Sequence, residues 1–322
     1  ATSSSKAGGG SPQSSSRPPP PKSPIARPSF PGGAGARGGL PSGPVPAGVF
    51  GVGAAVTKPA CAEPPSNYSP LKVPGTVVKD IDGLEAGTNH GRAADKYVYS
   101  ASVVNQWLEK PSTQPKNKKI VFVTFDDGPT TKFTGEQLDN LEKAGARATF
   151  FMIPPQMRDV GKNMLSRSLK MGNALAIHSY SHDYKYLYHG RAADKAKHIS
   201  CDWDWAMAQS RAILGSNYFS SAFRYPGGHM SWTNLSQADA TLAKRGVGWI
   251  DWNAMSGDAD AQRPTTVPGY LQMVKKSIKE SNNPNVVVIL NHDTYGKQMT
   301  AKAMPSILAW LKSQGYEFGV IA

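Results

Sequence analysis

The 322-residue sequence has few cysteines, no long apolar run and no acidic residue in its first 60 positions. Cys61 and Cys201 are too few for a structural zinc site, and they either form one disulfide in an oxidising compartment or stay unpaired. No stretch approaches the roughly 18 consecutive apolar residues of a membrane-spanning helix. Zinc-finger spacing and a basic stripe with interleaved aromatics are also missing, so we expect no nucleic-acid partner.

Residues 1–60 differ sharply in composition from the rest of the chain. They contain 12 prolines, 12 glycines and six lysines or arginines, with no aspartate or glutamate. Such a segment buries too little apolar surface to offset the entropy lost on ordering. We therefore predict a disordered, basic Pro/Gly/Ser-rich tail or stalk. Its unopposed positive charges favour a polyanionic partner, such as an anionic cell-wall polymer.

The remaining chain divides at about residue 118. Residues 61–117 are turn-rich, with one short helix predicted at residues 101–108, and we interpret them as a partly structured connector. Over residues 118–322, short β-branched or apolar runs alternate with helical patterns at steady intervals. This alternation predicts an α/β fold of parallel strands covered by helices, either a doubly wound sheet or a barrel. In a barrel, chemistry takes place on the loops at the C-terminal ends of the strands.

Two polar motifs follow predicted strands and offer metal ligands. Adjacent carboxylates, Asp126 and Asp127, end the first strand ahead of a Gly-Pro turn. They can point in different directions, so that one binds a metal while the other faces a substrate water. His178 and His182, four residues apart, end the third strand and suit two nitrogen ligands on one zinc ion. With one carboxylate they form a His2Asp set with an open coordination position, as in catalytic zinc sites.

Two further motifs supply an arginine and a histidine. Arg224 precedes a Pro-Gly-Gly turn, where the guanidinium can orient a carboxylate and the glycine backbone can approach a ligand closely. His292 ends the strand predicted at residues 286–291 and can give or take a proton near neutral pH. All four motifs therefore fall where a barrel would place its chemistry.

In this order the four motifs resemble those of the polysaccharide deacetylases of carbohydrate esterase family four, over roughly residues 118–322. The resemblance implies a distorted (β/α) barrel of about seven parallel strands. It also implies N-deacetylase activity with a divalent metal, Zn2+ or another such as Co2+. The metal ligands that it implies are Asp127, His178 and His182.

The same resemblance assigns the remaining roles by position. Asp126 would be the general base, held in place by Arg224, and His292 would be the general acid. The chemistry fits these roles, because a metal activates the water, Asp126 accepts its proton and His292 protonates the departing amine. The metal and the backbone N–H of Gly227 would stabilise the oxyanion.

Two positions depart from the family pattern. Gly227 stands where much of the family has a larger residue, often Tyr, so we expect one wall of the substrate groove to be missing. Gly248 stands where the fourth motif usually has an Asp, three residues ahead of the Asp-Trp pair that begins at Asp251. The partner of His292 is then open, with Asp251 as the first choice and Asp258 as the second.

The resemblance implies a polysaccharide substrate that carries N-acetylated amino sugars, with peptidoglycan as the first candidate and a chitin-like polymer as the next. Tyr180, Tyr184 and Trp232 are candidate sugar-stacking aromatics. Two alternatives stay open: a deacylase of another small amide, such as a polyamine or cyclic imide, and a catalytically inactive wall-binding protein. Because the sequence starts at Ala1 rather than Met, we expect an extracellular or cell-surface protein whose signal peptide has been removed.

Overall fold

The computed structural model describes residues 53–64 and 70–322. Most of the predicted tail, residues 1–60, therefore lies outside the described residues. Within its described part, Val56 is buried, and its backbone pairs with Gly75 and Thr76 through hydrogen bonds of 2.8 and 3.0 Å. The tail boundary predicted at residue 60 thus falls inside the structured chain.

Strands and helices alternate through most of the described chain. The strands are β1 (Val98–Tyr99), β2 (Lys119–Asp126), β3 (Ala148–Met152), β4 (Ala174–Ile177), β5 (Ala222–Phe223), β6 (Gly248–Trp249), β7 (Ala254–Met255), β8 (Val286–His292), β9 (Tyr316–Phe318) and β10 (Val320–Ile321). The α-helices are α1 (Ala101–Glu109), α2 (Thr131–Ala144), α3 (Met157–Val160), α4 (Lys162–Lys170), α5 (Tyr184–Leu187), α6 (Ala192–Leu214), α7 (Ser236–Lys244), α8 (Val267–Glu280) and α9 (Gln298–Ser313).

Seven parallel strands form the curled main sheet, in the order β6-β5-β4-β3-β2-β8-β7, and β9 pairs with β2 beside them. This arrangement confirms the predicted distorted (β/α) barrel of about seven parallel strands. The central strands β2 and β8 are buried almost throughout. Their apolar runs are near-continuous because both faces of a parallel sheet are covered.

The strands present alternate side chains to the interior of the barrel and to the surrounding helices. On β2, Val121 and Val123 join the cluster that includes the outer helices, whereas Ile120 and Phe122 join the interior cluster. The interior residues become polar towards the end of the strand, where Asp126 continues the same face. The strand pattern therefore delivers polar groups to one end of the barrel.

Helix α1 closes the opposite, N-terminal end. Its Val104 and Leu108 belong to the interior cluster that Ile120 and Phe122 form. Strand β1 pairs in parallel with β10, and the Ala101 N–H donates a 3.0 Å hydrogen bond to the last carbonyl of the sequence shown. Much of the predicted connector, residues 61–117, is therefore an integral part of the barrel.

The two cysteines form a disulfide bond, Cys61–Cys201, which joins the segment before the barrel to α6. Of the two alternatives left open by the sequence, the structure contains the bridged one. Within the described part of the chain, no helix combines the length and the hydropathy needed to cross a bilayer.

Candidate active site

The polar motifs meet at the C-terminal end of the barrel. Asp126 and His292 are directly paired across β2 and β8, since the two strands are parallel and in register there. His178 follows β4 and Arg224 follows β5, and these two strands are neighbours on the other side of β2. The sheet thus brings together the four motifs that the sequence spaces over about half of the chain.

Three of these side chains form a group that can hold a metal ion. Ligand atoms of Asp127, His178 and His182 all lie within 4.8 Å of one another. The Nε2 atoms of His182 and His178 are 3.0 and 3.3 Å from Asp127 Oδ1. That oxygen is buried and has no hydrogen-bond partner among the described residues. A carboxylate and two imidazoles that converge without bonding to one another fit a divalent cation.

The tautomer of His178 supports this fit. Its Nδ1 lies 2.8 Å from the carbonyl oxygen of Arg224. Because a carbonyl only accepts hydrogen bonds, Nδ1 must carry the proton, and the Nε2 lone pair then faces Asp127. Asp127 and His182 keep 16% and 24% of their side-chain surface exposed, so the group is reachable from solvent.

Two of the three candidate ligands also have unusual backbone conformations. Asp127 and His182 adopt φ values of 71° and 50°, in the left-handed region. The other non-glycine residues with positive φ in the described chain are all asparagines, which tolerate this region more readily. Backbone strain of this kind concentrates at functional sites, where the surrounding structure maintains it.

The charges of the group are coupled. Burial opposes ionisation of Asp127, but the neighbouring His182 and His178 hold the pKa of its carboxyl well below the usual range. Burial likewise opposes the charged form of His182, and the Asp127 carboxylate raises the pKa of that imidazole. Asp127 is therefore ionised at neutral pH, as a metal ligand must be.

Asp126 is held by Arg224, as expected from the sequence. The Nη1 atom of the fully buried guanidinium lies 2.9 Å from Asp126 Oδ1 and 2.6 Å from the hydroxyl of Thr124. Its Nε and Nη2 atoms donate to the carbonyl oxygens of Ile250 and Asp251. Arg224 thus contacts Asp126 through Nη1 alone, and the other carboxylate oxygen, Oδ2, is left for other contacts.

The partner of His292 is Asp258, so the first choice of Asp251 is wrong. The Nδ1 atom of His292 lies 2.8 Å from Asp258 Oδ1, and its backbone N–H donates to Asp258 Oδ2 at 2.8 Å. Burial opposes the charged form of His292, but Asp258 and, more weakly, Asp127 raise the pKa of the imidazole to about 9. His292 is therefore protonated at neutral pH, with its Nε2 4.0 Å from Asp127 Oδ2.

Asp251 instead fixes the turn that contains Gly227. Its carboxylate accepts the backbone N–H groups of His229 and Met230, at 2.8 and 2.9 Å. The turn is tight: a Cβ on Gly228 would lie 2.7 Å from the Trp252 ring. Among the described residues, the Gly227 N–H has no hydrogen-bond acceptor, so it is free to donate to a ligand.

Aromatic residues from elsewhere in the chain border the space that a side chain at Gly227 would occupy. A Cβ on Gly227 would lie 3.3 Å from both Trp232 Nε1 and the Tyr184 hydroxyl. The Trp232 indole stacks on Tyr188 with ring centroids 3.8 Å apart, and it donates a hydrogen bond to the Pro226 carbonyl oxygen. We call Tyr184, Tyr188 and Trp232 the aromatic wall. Two of its three members, Tyr184 and Trp232, are sugar-stacking candidates from the sequence.

The third candidate, Tyr180, lies away from solvent. Only 2% of its surface is exposed, and its ring packs edge-on against Trp205. The backbone N–H of Tyr180 donates a hydrogen bond to the buried Asp202 of α6. The prediction that Tyr180 stacks on a sugar is therefore wrong.

Asp202 itself was missed by the sequence analysis. Its carboxylate accepts hydrogen bonds from the Ser179 hydroxyl and from the backbone N–H groups of Tyr180 and Ser181, at 2.7–2.9 Å. It thereby fixes the loop that joins the two candidate histidine ligands. The one signal in the sequence is its position: Asp202 directly precedes Trp203, and a tryptophan in a helix is typical of the buried face.

Asp293 is a second missed carboxyl. It is buried against the turn after Asp127, where a Cβ on Gly128 would lie 2.4 Å from its carboxylate oxygens. Burial raises the pKa of Asp293 to about 7, although Thr134 donates a hydrogen bond to it. Asp293 therefore fits only because residue 128 has no side chain.

Known proteins share this sequence pattern. The family model of the polysaccharide deacetylases matches residues 113–244. A putative polysaccharide deacetylase of Bacillus subtilis, YheN, is 31% identical over 210 residues, which cover 65% of this chain and 69% of the relative. A peptidoglycan-N-acetylglucosamine deacetylase of Bacillus cereus is 28% identical and covers 63% of this chain and 69% of the relative. The chain spans only 31% of the bifunctional xylanase/deacetylase of Pseudobutyrivibrio xylanivorans, at 30% identity.

The fold is also found in solved structures. The structure of a Streptococcus mutans CE4 esterase matches with a TM-score of 0.66 and 39% sequence identity, over 74% of this chain and 98% of that chain. The fold, the converging polar motifs and these relatives define a carbohydrate esterase domain. The chain belongs to the polysaccharide deacetylases of carbohydrate esterase family four.

Proposed function

We propose that the protein is a metal-dependent N-deacetylase of peptidoglycan, with zinc as the first candidate metal and a chitin-like polymer as the second candidate substrate. The main support is that the ligand atoms of Asp127, His178 and His182 lie close together in a partly exposed group. Asp126 and His292 lie next to this group. Similarity to the peptidoglycan-N-acetylglucosamine deacetylase of Bacillus cereus supports the choice of peptidoglycan.

Asp127, His178 and His182 would hold the cation, because one carboxylate and two imidazoles are the donor set of many catalytic zinc sites. A bound cation supplies Lewis acidity, which polarises the acetyl carbonyl and makes a water more acidic. The hydrogen bond between His178 Nδ1 and the Arg224 carbonyl keeps the imidazole oriented for this task.

Asp126 would act as the general base. Arg224 occupies its Oδ1, so Oδ2 is the oxygen that accepts a proton from the attacking water. The water oxygen then bonds to the acetyl carbon, and the Gly227 N–H donates a hydrogen bond to the oxygen that gains negative charge. Asp251 keeps that N–H in position through the turn that it binds.

His292 would act as the general acid. Its Nδ1 is held by Asp258, so Nε2 faces the site and carries the proton that the amine nitrogen needs when the C–N bond breaks. The Asp258 carboxylate raises the pKa of His292, which favours the protonated imidazole. Acetate and a free amino sugar are the products.

The aromatic wall would contact the sugar. Tyr184 and Trp232 are partly exposed, and Trp232 is fixed by stacking and by its indole hydrogen bond. The Tyr184 ring lies 5.5 Å from that of the candidate ligand His182. Rigid aromatic rings beside the reacting centre offer a surface to the apolar face of a pyranose.

The setting is proposed to be extracellular or on the cell surface. The Cys61–Cys201 disulfide supports an oxidising compartment, since such bonds are rare in the cytosol. The excess of positive charge in residues 1–60 supports binding to an anionic wall polymer. Salt-sensitive binding to that polymer, lost when residues 1–52 are removed, is the expected result.

Acetate release from purified protein tests the proposed function. Peptidoglycan and N-acetylglucosamine oligomers are the substrates, and a chelator is added and then reversed with Zn2+ or Co2+. We expect acetate that disappears with chelator, returns with metal and is largest with peptidoglycan. Metal binding without acetate release would point to another amide as the substrate. Absence of both would support a catalytically inactive wall-binding protein.

A further inference from the structure

Few large apolar side chains are exposed in the described part of the chain. Val77, Met230 and Tyr295 have exposed fractions of 62%, 51% and 78%. Val77 lies in the segment before the barrel, whereas Met230 and Tyr295 lie on the loops that follow β5 and β8, at the end that carries the site. A single exposed ring is ordinary on a protein surface, so its position and its support decide whether it has a function.

The loop that carries Tyr295 is anchored on both sides of it. Before the tyrosine, Asp293 receives a hydrogen bond from the Thr130 hydroxyl at 2.9 Å and donates its N–H to the Asp126 carbonyl oxygen at 3.3 Å. After it, the Lys297 ammonium donates to the carbonyl oxygen of Asp258 at 2.6 Å. The loop is therefore fixed to the backbones of Asp126 and Asp258, and little ordering entropy is lost when a ligand contacts it.

The Tyr295 ring has an aromatic contact with Phe133. Tyr295 and Phe133 meet at right angles with ring centroids 6.1 Å apart, and Phe133 is buried in α2. This contact orients the tyrosine, while most of its surface stays available. A fixed phenol offers an apolar face for stacking on a sugar and a hydroxyl for hydrogen bonding.

The position of Tyr295 complements that of the aromatic wall. Tyr295 follows His292 by three residues at the end of β8, whereas Tyr184 and Trp232 come from the loops after β4 and β5. Strand β2, which carries Asp126, lies between β8 and β4 in the sheet order. A sugar chain that crosses the site would therefore meet aromatic rings on both sides of the reacting unit.

We propose that Tyr295 binds a sugar that neighbours the deacetylated unit, so that the enzyme distinguishes longer chains from short ones through this residue. The inference rests on the proposed function, and it adds the substrate feature that this face of the site recognises: an extended saccharide chain rather than an isolated acetylated sugar.

The test compares kcat and KM of wild type and Tyr295→Ala on N-acetylglucosamine oligomers of increasing length. We expect a KM for the longer oligomers that is raised roughly tenfold, from loss of a stacking contact of this class. The kcat and the KM for the shortest oligomer turned over stay unchanged. Tyr295→Phe keeps the ring and should retain most of the wild-type preference. Val77→Ala, which removes a similarly exposed side chain before the barrel, should change neither constant.

Two results would overturn the inference: equal constants for wild type and Tyr295→Ala at every length, or a loss that is the same at every length. The second would mean damage to the His292 loop instead of a lost subsite. If wild type releases no acetate at all, the proposed function fails, and calorimetric titration with the longest oligomer still tests Tyr295. Equal affinities of wild type and Tyr295→Ala would then reject its role.

Discussion

The same strands line both ends of the barrel interior, but their side chains are apolar at the N-terminal end and polar or charged at the C-terminal end. At the N-terminal end, Ile120 and Phe122 of β2 pack against α1 in an apolar cluster. Four residues after Phe122, on the same face of the same strand, Asp126 lies beside the buried Arg224. The period-two alternation of a strand is unbroken between them.

The apolar end of the barrel therefore contributes mainly to stability, and the polar end carries the candidate active site. The apolar end gains free energy from burial, whereas the polar end buries charges and maintains left-handed backbone at Asp127 and His182. The candidate site is therefore supported by a core that begins directly beneath it. Changes at one end should act on activity and changes at the other on unfolding.

The largest effect is expected at the polar end. Asp126→Asn removes the proposed proton acceptor but keeps an oxygen for Arg224, so kcat/KM should fall by about 10²–10⁴-fold. Acetate release measures the loss, and bound zinc measured in the same sample shows that the ligands are intact. Retention of most of the wild-type activity would contradict the assignment of Asp126.

The next effect is expected at the apolar end. Val104→Ala opens a cavity between α1 and the strands and should lower the free energy of unfolding by about 2 kcal/mol. Denaturant unfolding measures this change, and kcat should stay at the wild-type value. Ser102→Ala, on an exposed position of the same helix, is the matched control. Loss of activity without loss of stability in Val104→Ala would contradict the proposal that the apolar end determines stability and the polar end determines activity.

The smallest effect is a shift in pH dependence. In the proposed mechanism the protonated His292 is the acid, so kcat should fall as pH rises through the pKa of His292, which Asp258 raises. Asp258→Asn removes the negative charge of the Asp258 carboxylate. The alkaline limb of the kcat–pH profile should then move to lower pH by about one unit or more. A cation at Asp127 lowers the pKa in both proteins, so the difference between the two limbs is the readout.

Asp251→Asn is the control for that shift, because Asp251 binds the backbone of the Gly227 turn rather than His292. Its alkaline limb should coincide with that of wild type. A shift in Asp251→Asn and none in Asp258→Asn would restore the first choice made from the sequence.

The sequence predicts the strands and helices well where the periodic pattern is long. The helix predicted at residues 101–108 is α1, and the strand predicted at residues 286–291 is β8. The partner of His292 depended on a shorter element. Strand β7 spans only two residues, Ala254–Met255, but its pairing with β8 brings Asp258 next to His292. Two residues give no periodic signal, so spacing favoured the wrong aspartate.

The aromatic wall shows the same limit. Gly227 was correctly noted as lacking a side chain, but the rings that fill its space come from two different loops. Trp232 lies there because it stacks on Tyr188 and donates a hydrogen bond to the Pro226 carbonyl oxygen. Tyr180 and Tyr184 looked equivalent in the sequence. In the structure, the backbone N–H of Tyr180 donates a hydrogen bond to the buried Asp202, and the Tyr180 side chain is buried, whereas Tyr184 is partly exposed.

A zinc titration of the purified, chelator-treated protein tests the central claim most directly. Wild type, Asp126→Asn and His182→Ala would be compared by calorimetry. We expect one zinc ion per chain for wild type and for Asp126→Asn, with binding lost or greatly weakened in His182→Ala. No binding to wild type, or equal binding to His182→Ala, would contradict a metal centre made by Asp127, His178 and His182.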